Sequence, residues 1–419
     1  MSQTEIGLVF SCFEFWVTVS SPFFGNYMRY IGPKFAFISG LFLNGGCFTL
    51  FGFLYMCPPG LPFKALCFAL RTVSALGESL SQTSSFALLA TEFPDYVGTA
   101  AGLLATSSGM GLALSPLLGG ALYQIGGFGL PFFVTSTLLL LGAGVAQFLM
   151  QSRQGVPDNP QQSRGSILRL LKSPQVVVVG FSAASSMYTI GFLESSLAIH
   201  LEQFHISAVA VGAVFLFLTV PYTALSIVFG WISDRKHIIY PFLIGGGLTL
   251  SVAVLFIGPS PLLPFLHAKL WLVVVCVFTM GASIGAILSP SWHSMCTGAR
   301  QLGLEEGSDV DGMVAGLYTA ATHGGLFFGP TIGSPVMQAY GFEWSATLTA
   351  AICFCSVSAV ITYVIIKRMC LKRNIKKNIN DVKTEASQLV EMHEVYDYKS
   401  DATHIQQNDQ QKENATHHH

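Results

Sequence analysis

Eleven apolar runs, each about 20 residues or longer, follow one another from Ile6 to Ile366. They lie near 6–24, 35–54, 63–90, 98–122, 130–150, 174–200, 208–231, 239–257, 268–297, 312–338 and 344–366. A bilayer core of about 30 Å takes roughly 20 apolar residues per helix, and a chain crossing lipid must satisfy its backbone polar groups internally. The sequence therefore predicts an all-α, multi-pass membrane protein with eleven transmembrane helices. Composition agrees, with 51% of the 419 residues hydrophobic and 10% charged. The net charge of −1 is uninformative as a total, and no nucleic-acid partner is expected. All nine cysteines lie in or beside apolar runs without the spacing of zinc ligands, so they read as packing residues, and no metal or cofactor is expected. The opening MSQTEIG has neither a basic n-region nor a small-residue cleavage site, which makes the first run a permanent span.

Between the fifth and sixth runs lies a polar stretch, residues 151–173, containing GVPDNP and four cations. It divides the chain into an N-terminal half (1–150) and a C-terminal half (174–366), with 151–173 as a linker. After Ile366 the chain turns basic and then polar, so residues 367–419 read as a disordered cytosolic tail. Lys and Arg are retained on the cytoplasmic side of membranes. With the N-terminus outside, all 21 fall inside except Lys64, Lys269 and the intramembrane Arg71. The expected topology is N-terminus out and C-terminus in the cytosol.

One stretch occurs twice. GMGLALSPLLGG (Gly109 to Gly120) returns as GGLFFGPTIGS (Gly324 to Ser334), so that Gly111, Ser115, Pro116 and Gly119 align with Gly325, Gly329, Pro330 and Gly333. Small residues every fourth position give a helix face that a neighbour can approach closely, and each proline bends its helix. Two basic loops repeat as well, GNYMRYIGPK (Gly25 to Lys34) and GWISDRK (Gly230 to Lys236). The halves match helix by helix except that the run at 174–200 has no counterpart before Ile6. A twelfth helix, the first of the usual set, is expected to be missing from this chain. Two pseudo-symmetric helical halves moving against each other are the architecture of a secondary transporter.

The loops Gly25 to Lys34 and Gly230 to Lys236 resemble the G-x-x-x-D-R-x-G-R-K loop of the major facilitator superfamily. Gly109 to Gly120 resembles its antiporter motif, and Leu70-Arg71 the start of its fourth-helix arginine motif. GFLESS (Gly191 to Ser196), FGNY (Phe24 to Tyr27), ALYQIGGFGLPF (Ala121 to Phe132) and the Gly-Phe-Glu-Trp at 341–344 are similar to the vesicular amine transporter family, most nearly its polyamine branch. The resemblance implies the major facilitator fold and proton-coupled antiport of an organic cation, an amine or polyamine, into acidic vesicles. Arg29 stands where the first loop motif has its aspartate, whereas the second loop keeps Asp234 and Arg235.

Ionisable groups at membrane depth normally face a cavity or a partner. Glu194 is the leading candidate for the cation and proton site, because a carboxylate in a low-dielectric cavity can alternate between holding a proton and pairing with an ammonium group. The plainer reading is that it pairs with Arg71 or a backbone group to fix the halves. Glu78 sits in a turn rich in Ser and Gln, either a polar lining or a wet helix end, and Glu14 lies mid-span in the first run. Arg71 and Glu78 share a helix face but stand about 10 Å apart along the axis. Arg71 reads as a structural or gating cation, since it repels a cationic substrate. His323, on the bent helix, is able to titrate near vesicular pH or to serve as a packing residue, as does His293 beside Trp292 and Pro290. Tyr188 and Tyr222 are candidates for cation–π contact to an amine.

Glu305, Glu306, Asp309 and Asp311 crowd before the run at 312–338, where Ser308 or Asp309 is placed to cap a helix. Arg29 is positioned to reach this cluster and latch the halves. In the tail, Glu385 to Val390 resembles an acidic di-leucine sorting signal and Asn414-Ala-Thr is a glycosylation sequon by pattern alone. Phosphate-binding loops, catalytic triads and cofactor motifs are missing from the sequence, so no catalytic residues and no enzyme are expected. The expectation is a monomeric transporter in a lipid bilayer, on a vesicle membrane, exchanging protons for a small organic cation. The alternatives are a plasma-membrane drug/proton efflux transporter and a non-transporting sensor with the same fold.

Overall fold

The computed structural model describes residues 3–150, 167–236, 238–262, 269–302 and 308–373, together with 375, 376, 379, 380 and 386. The linker segment 151–166, the acids Glu305 and Glu306, the side chains of Pro116, Ser308 and Asp309, and the tail motifs at 385–390 and 414–416 lie outside the described residues. The chain divides into two compact units, residues 1–361 and 362–419. In the second, helix continues to Arg373, where Lys367 sits over the Tyr363 ring.

Eleven long helices are present among the described residues: α1 (Gln3–Ile31), α2 (Pro33–Gly52), α3 (Leu61–Glu92), α4 (Val97–Gly126), α5 (Gly129–Leu149), α7 (Pro174–Leu201), α8 (Ala208–Lys236), α9 (Ile239–Ile257), α10 (Leu270–Arg300), α11 (Ser308–Tyr340) and α12 (Phe342–Arg373). A single short helix, α6 (Ile167–Leu171), precedes α7. The breaks fall where the chain has the residues for them. Gly32, at φ 79°, separates α1 from α2, and Pro33 occupies the first position of α2, where its missing N–H is not needed. Gly341, at φ 89°, turns α11 into α12.

Nine of these helices are long and apolar enough to cross a membrane. The other two long helices, α3 and α11, carry the polar residues Arg71, Glu78, Gln82 and His323, and both pack against α1 and against each other. Helices that surround a polar site give up lipid-like composition because other helices, not lipid, cover them.

The packing reproduces the sequence repeat. The segments expected as loops are largely helical, since α1 runs on through Gly25 to Ile31 and α8 contains all of Gly230 to Lys236; their repeat pairs α1 with α8, and the repeated Gly-Pro stretches pair α4 with α11. The structure packs α1 on α11 and α4 on α8, two contacts that exchange under that pairing. Both are backbone-close at the basic-loop end. A Cβ placed on Gly230 would stand 2.2 Å from the Gly98 carbonyl oxygen, and one on Gly25 would stand 2.4 Å from that of Gly312. Glycine is required there because any side chain would separate the helices.

The two Gly-Pro stretches are not used alike. On α11, Gly325, Gly329 and Gly333 press against α7, where added Cβ atoms would meet the carbonyl oxygens of Ala184 (2.2 Å) and Tyr188 (2.5 Å) and the Phe192 ring (2.9 Å). In return Gly191 of α7 lies against Leu326 and the Pro330 ring. On α4, Gly111, Gly119 and Gly120 have nothing among the described residues within 4 Å of such a Cβ, and Ser115 is exposed. The close approach expected of both stretches is thus made by α11, while α4 makes its own through Gly102 and Gly109, against α8.

Candidate functional site

The site is built around Glu14 and His323, near the middles of α1 and α11. The ring Nδ1 of His323 lies 2.6 Å from Oε2 of Glu14, and Nε2 faces Oε1 of Gln82 on α3. Three helices distant in sequence therefore meet at one imidazole. The ring is buried, with 9% of the side chain exposed, whereas Glu14 keeps 24% exposed. Ser21 and Ser79 hold α1 to α3 below this point, their hydroxyl oxygens 2.8 Å apart.

Helix α3 turns a polar face toward the pair because Arg71, Ser74, Glu78 and Gln82 recur at helical spacing. Glu78 is half-buried and accepts a 3.0 Å hydrogen bond from Nδ2 of Asn44 on α2. The Asn44 oxygen in turn accepts from the Ser74 hydroxyl at 2.8 Å. Asn44 is 5% exposed, and these bonds satisfy both ends of its amide, as a buried amide requires.

Glu14 is close enough to Arg71, Glu78, His323 and Glu194 to interact with each electrostatically. Glu194 lies toward the Leu201 end of α7 and is exposed. The Arg71 guanidinium stands 4.8, 5.3 and 5.7 Å from the ring centres of Phe10, Phe13 and Phe51, an aromatic setting that holds a cation without neutralising it. The cluster thus gathers three carboxylates against one permanent cation. Such an imbalance inside a membrane calls for protons or a bound cation.

Not every candidate joins the cluster. Tyr188 is buried near Thr349 and Cys353 of α12, with its backbone against Gly325 and Gly329 of α11. Tyr222 faces α4 at Gly109. Arg29 stacks on the Tyr30 ring at 4.4 Å and donates to its hydroxyl. Asp311, from the acidic stretch, accepts from the Thr91 hydroxyl at 3.3 Å.

A second constellation lies at the basic-loop end. Asp234, 7% exposed at the end of α8, accepts from the backbone N–H groups of Gly98 (2.9 Å) and Thr99 (2.6 Å) and from the Thr99 hydroxyl (2.6 Å). It thereby caps the first turn of α4 from another helix, where a carboxylate also meets the positive end of the helix dipole. Nδ1 of His293 on α10 lies 3.0 Å from the same carboxylate. Arg235 stacks on Trp231 at 4.6 Å. Asn44 and the His293–Asp234 contact lie beyond the sequence reading, and Gln82 was visible there only as part of a polar turn. The Ser/Gln-rich turn around Glu78 was the available signal for Gln82, and nothing local marks the other two.

An antiparallel helix bundle with an ion-rich centre and a capped acid on its basic side is a transporter's arrangement. Residues 1–302 match the Major Facilitator Superfamily, and the chain belongs to that family. It is 34% identical over 391 residues to the human MFS-type transporter SLC18B1, covering 93% of this chain and 84% of the relative. It is 25% identical over 360 residues to the human chromaffin granule amine transporter, covering 83% of this chain and 63% of that one. Among solved structures, a bacterial homologue of the iron transporter ferroportin in an outward-facing state aligns with a TM-score of 0.67 over 87% of this chain and 91% of its own, at 15% identity. The human organic anion transporter MFSD10 aligns with a TM-score of 0.62, also at 15% identity. These two likenesses are of fold alone. The protein is a multi-pass integral membrane transporter handling small molecules, and not an enzyme.

Proposed function

We propose that this transporter exchanges protons for an organic cation, an amine or polyamine, across the membrane of an acidic vesicle. The observation that carries the reading is the Glu14–His323 pair, held between α1 and α11 with Glu78 and Glu194 in electrostatic reach. Three carboxylates able to take either a proton or an ammonium group supply the chemistry of exchange. Protonation from the vesicle side displaces the amine; loss of the protons to the cytosol restores the acids for the next one.

In this reading α1 to α5 and α7 to α12 form two halves that rock about the α1–α11 and α4–α8 contacts, with the linker and the C-terminus in the cytosol. Arg71 repels a cation that binds too far along α1, and the Asp234 cap steadies the cytosolic end. The vesicle location rests on relatives named as a chromaffin granule amine transporter and a synaptic vesicular amine transporter, and the working unit is a monomer.

The test is uptake of labelled amines and polyamines into proteoliposomes holding the full chain, with the interior made acidic. Accumulation that collapses when the gradient is dissipated supports exchange. Binding without gradient-dependent uptake sinks it in favour of a sensor, and uptake confined to lipophilic drugs favours efflux.

A further inference from the structure

The two ring nitrogens of His323 face two acceptors. One is the carboxylate oxygen of Glu14, and the other is the amide oxygen of Gln82. A neutral imidazole has one N–H and one lone pair, so it satisfies one acceptor and opposes the other. With the Gln82 oxygen toward Nε2, both acceptors are satisfied only when the pair carries one proton beyond the neutral ring and ionised carboxylate. Either the imidazolium donates both ways, or Glu14 holds the proton and donates to Nδ1 while Nε2–H donates to Gln82.

When that proton leaves to water, Nδ1–H remains on the carboxylate and the lone pair appears at Nε2, opposite the Gln82 oxygen. The ring is buried, so an opposed pair there is costly. Half a turn of the Gln82 amide puts its NH₂ in place of the oxygen, and the NH₂ donates to the lone pair. An ionised Glu14 lacks a donor for this purpose, and Asn44 is engaged with Glu78 and Ser74.

We propose that Gln82 is the positioning residue of proton exchange, its amide turning to match the protonation state of the Glu14–His323 pair and setting how readily that pair holds its proton. This rests on the exchange reading above for its role, though not for its physical basis. The charged groups facing the pair are Glu14 itself from α1, Arg71 and Glu78 from α3, and Glu194 from α7, next to Glu14. Gln82 lies one helical turn beyond Glu78, so its orientation joins proton occupancy at α1 and α11 to the polar face of α3.

The test is nitrogen NMR of the histidine rings in the full chain, ¹⁵N-labelled at histidine and held in lipid nanodiscs, with His323 assigned by its loss in His323→Gln. Gln82→Met keeps the length and removes the amide's partners of both ring states; because the bond to the charged ring is the stronger of the two, the ratio of imidazolium to imidazole at a fixed pH is expected to fall, by about tenfold, the change that one pH unit of displaced titration reads. Gln82→Glu places a charge there and is expected to raise the ratio by about as much or more. Equal ratios in the three proteins, or shifts of one sign in both variants, overturn the proposal. If Gln82→Met fails to fold, the comparison of wild type with Gln82→Glu decides alone. Amine uptake in the same variants is measured against vesicle pH. Absence of gradient-driven uptake in the wild type, with the NMR shifts present, rejects the exchange reading and leaves the role of Gln82 toward His323 standing.

Discussion

Glu14 and His323, 309 residues apart in sequence, meet through Oε2 and Nδ1 at 2.6 Å and join α1 to α11 at mid-length. The bond ties two helices that the sequence repeat assigns to opposite halves, so on the exchange reading proposed above a proton at this point changes a contact between those halves. His323→Gln is expected to cut gradient-driven amine accumulation by about tenfold or more while leaving amine–amine counterflow without a gradient largely intact, since a carboxylate alone still binds an ammonium group. Equal losses in both assays would place His323 in cation binding rather than proton coupling.

Asn44 is the support of Glu78. Removing it as Asn44→Leu leaves a half-buried carboxylate without its donor and the Ser74 hydroxyl without its acceptor, and lowers stability by about 1–3 kcal/mol. The measurement is thermal unfolding in detergent, compared with Glu78→Leu and the double variant. If the pair matters as described, the double variant loses less than the sum of the single losses.

Asp234→Asn replaces the charged cap of α4 with a neutral one, and one oxygen with an NH₂ that opposes the Thr99 or Gly98 N–H. Loss of about 2 kcal/mol is expected, from charge-assisted hydrogen bonds and the helix dipole together. Unfolding at the wild-type temperature would show that the cap contributes nothing to stability.

The two Gly-Pro stretches are expected to answer differently to the same change. Gly325→Ala forces a methyl against the Ala184 carbonyl, 2.2 Å away, and costs about 1–3 kcal/mol through displaced helices. Gly119→Ala adds a methyl where nothing among the described residues lies within 4 Å and stiffens a helix interior, a gain of about 0.5–1 kcal/mol. Parallel melting of the two variants checks this; equal losses would mean the α4 stretch is as tightly packed as that of α11.

Much of the molecule was legible in one dimension. Hydropathy placed eleven long helices, nine of them apolar enough to cross a membrane by themselves, because a bilayer demands a run of about 20 apolar residues of any helix that lipid covers. The break between α1 and α2 was placed too early, at 24 rather than at Gly32 with Pro33, because α1 carries its helix through the polar residues 25–31. Once the contacts are known, the repeats show that α1–α11 and α4–α8 are related by the pairing of the halves. Glu14, Glu78, Glu194, Arg71 and His323 stood out as ionisable groups in apolar surroundings, since that cost is a property of each residue and its run.

What the sequence by itself determined, then, was which segments cross the membrane and which side chains are too expensive there to be idle. Tertiary structure alone decided the partners. Whether Glu14 meets Arg71 or His323, whether Tyr188 turns to the acids or to α12, and whether Gly119 is packed as Gly333 is, all depend on how each helix is rotated about its axis and which neighbour it touches. Those choices are set by the fit of whole helix faces, summed over many small contacts between residues hundreds of positions apart, and no local pattern encodes them.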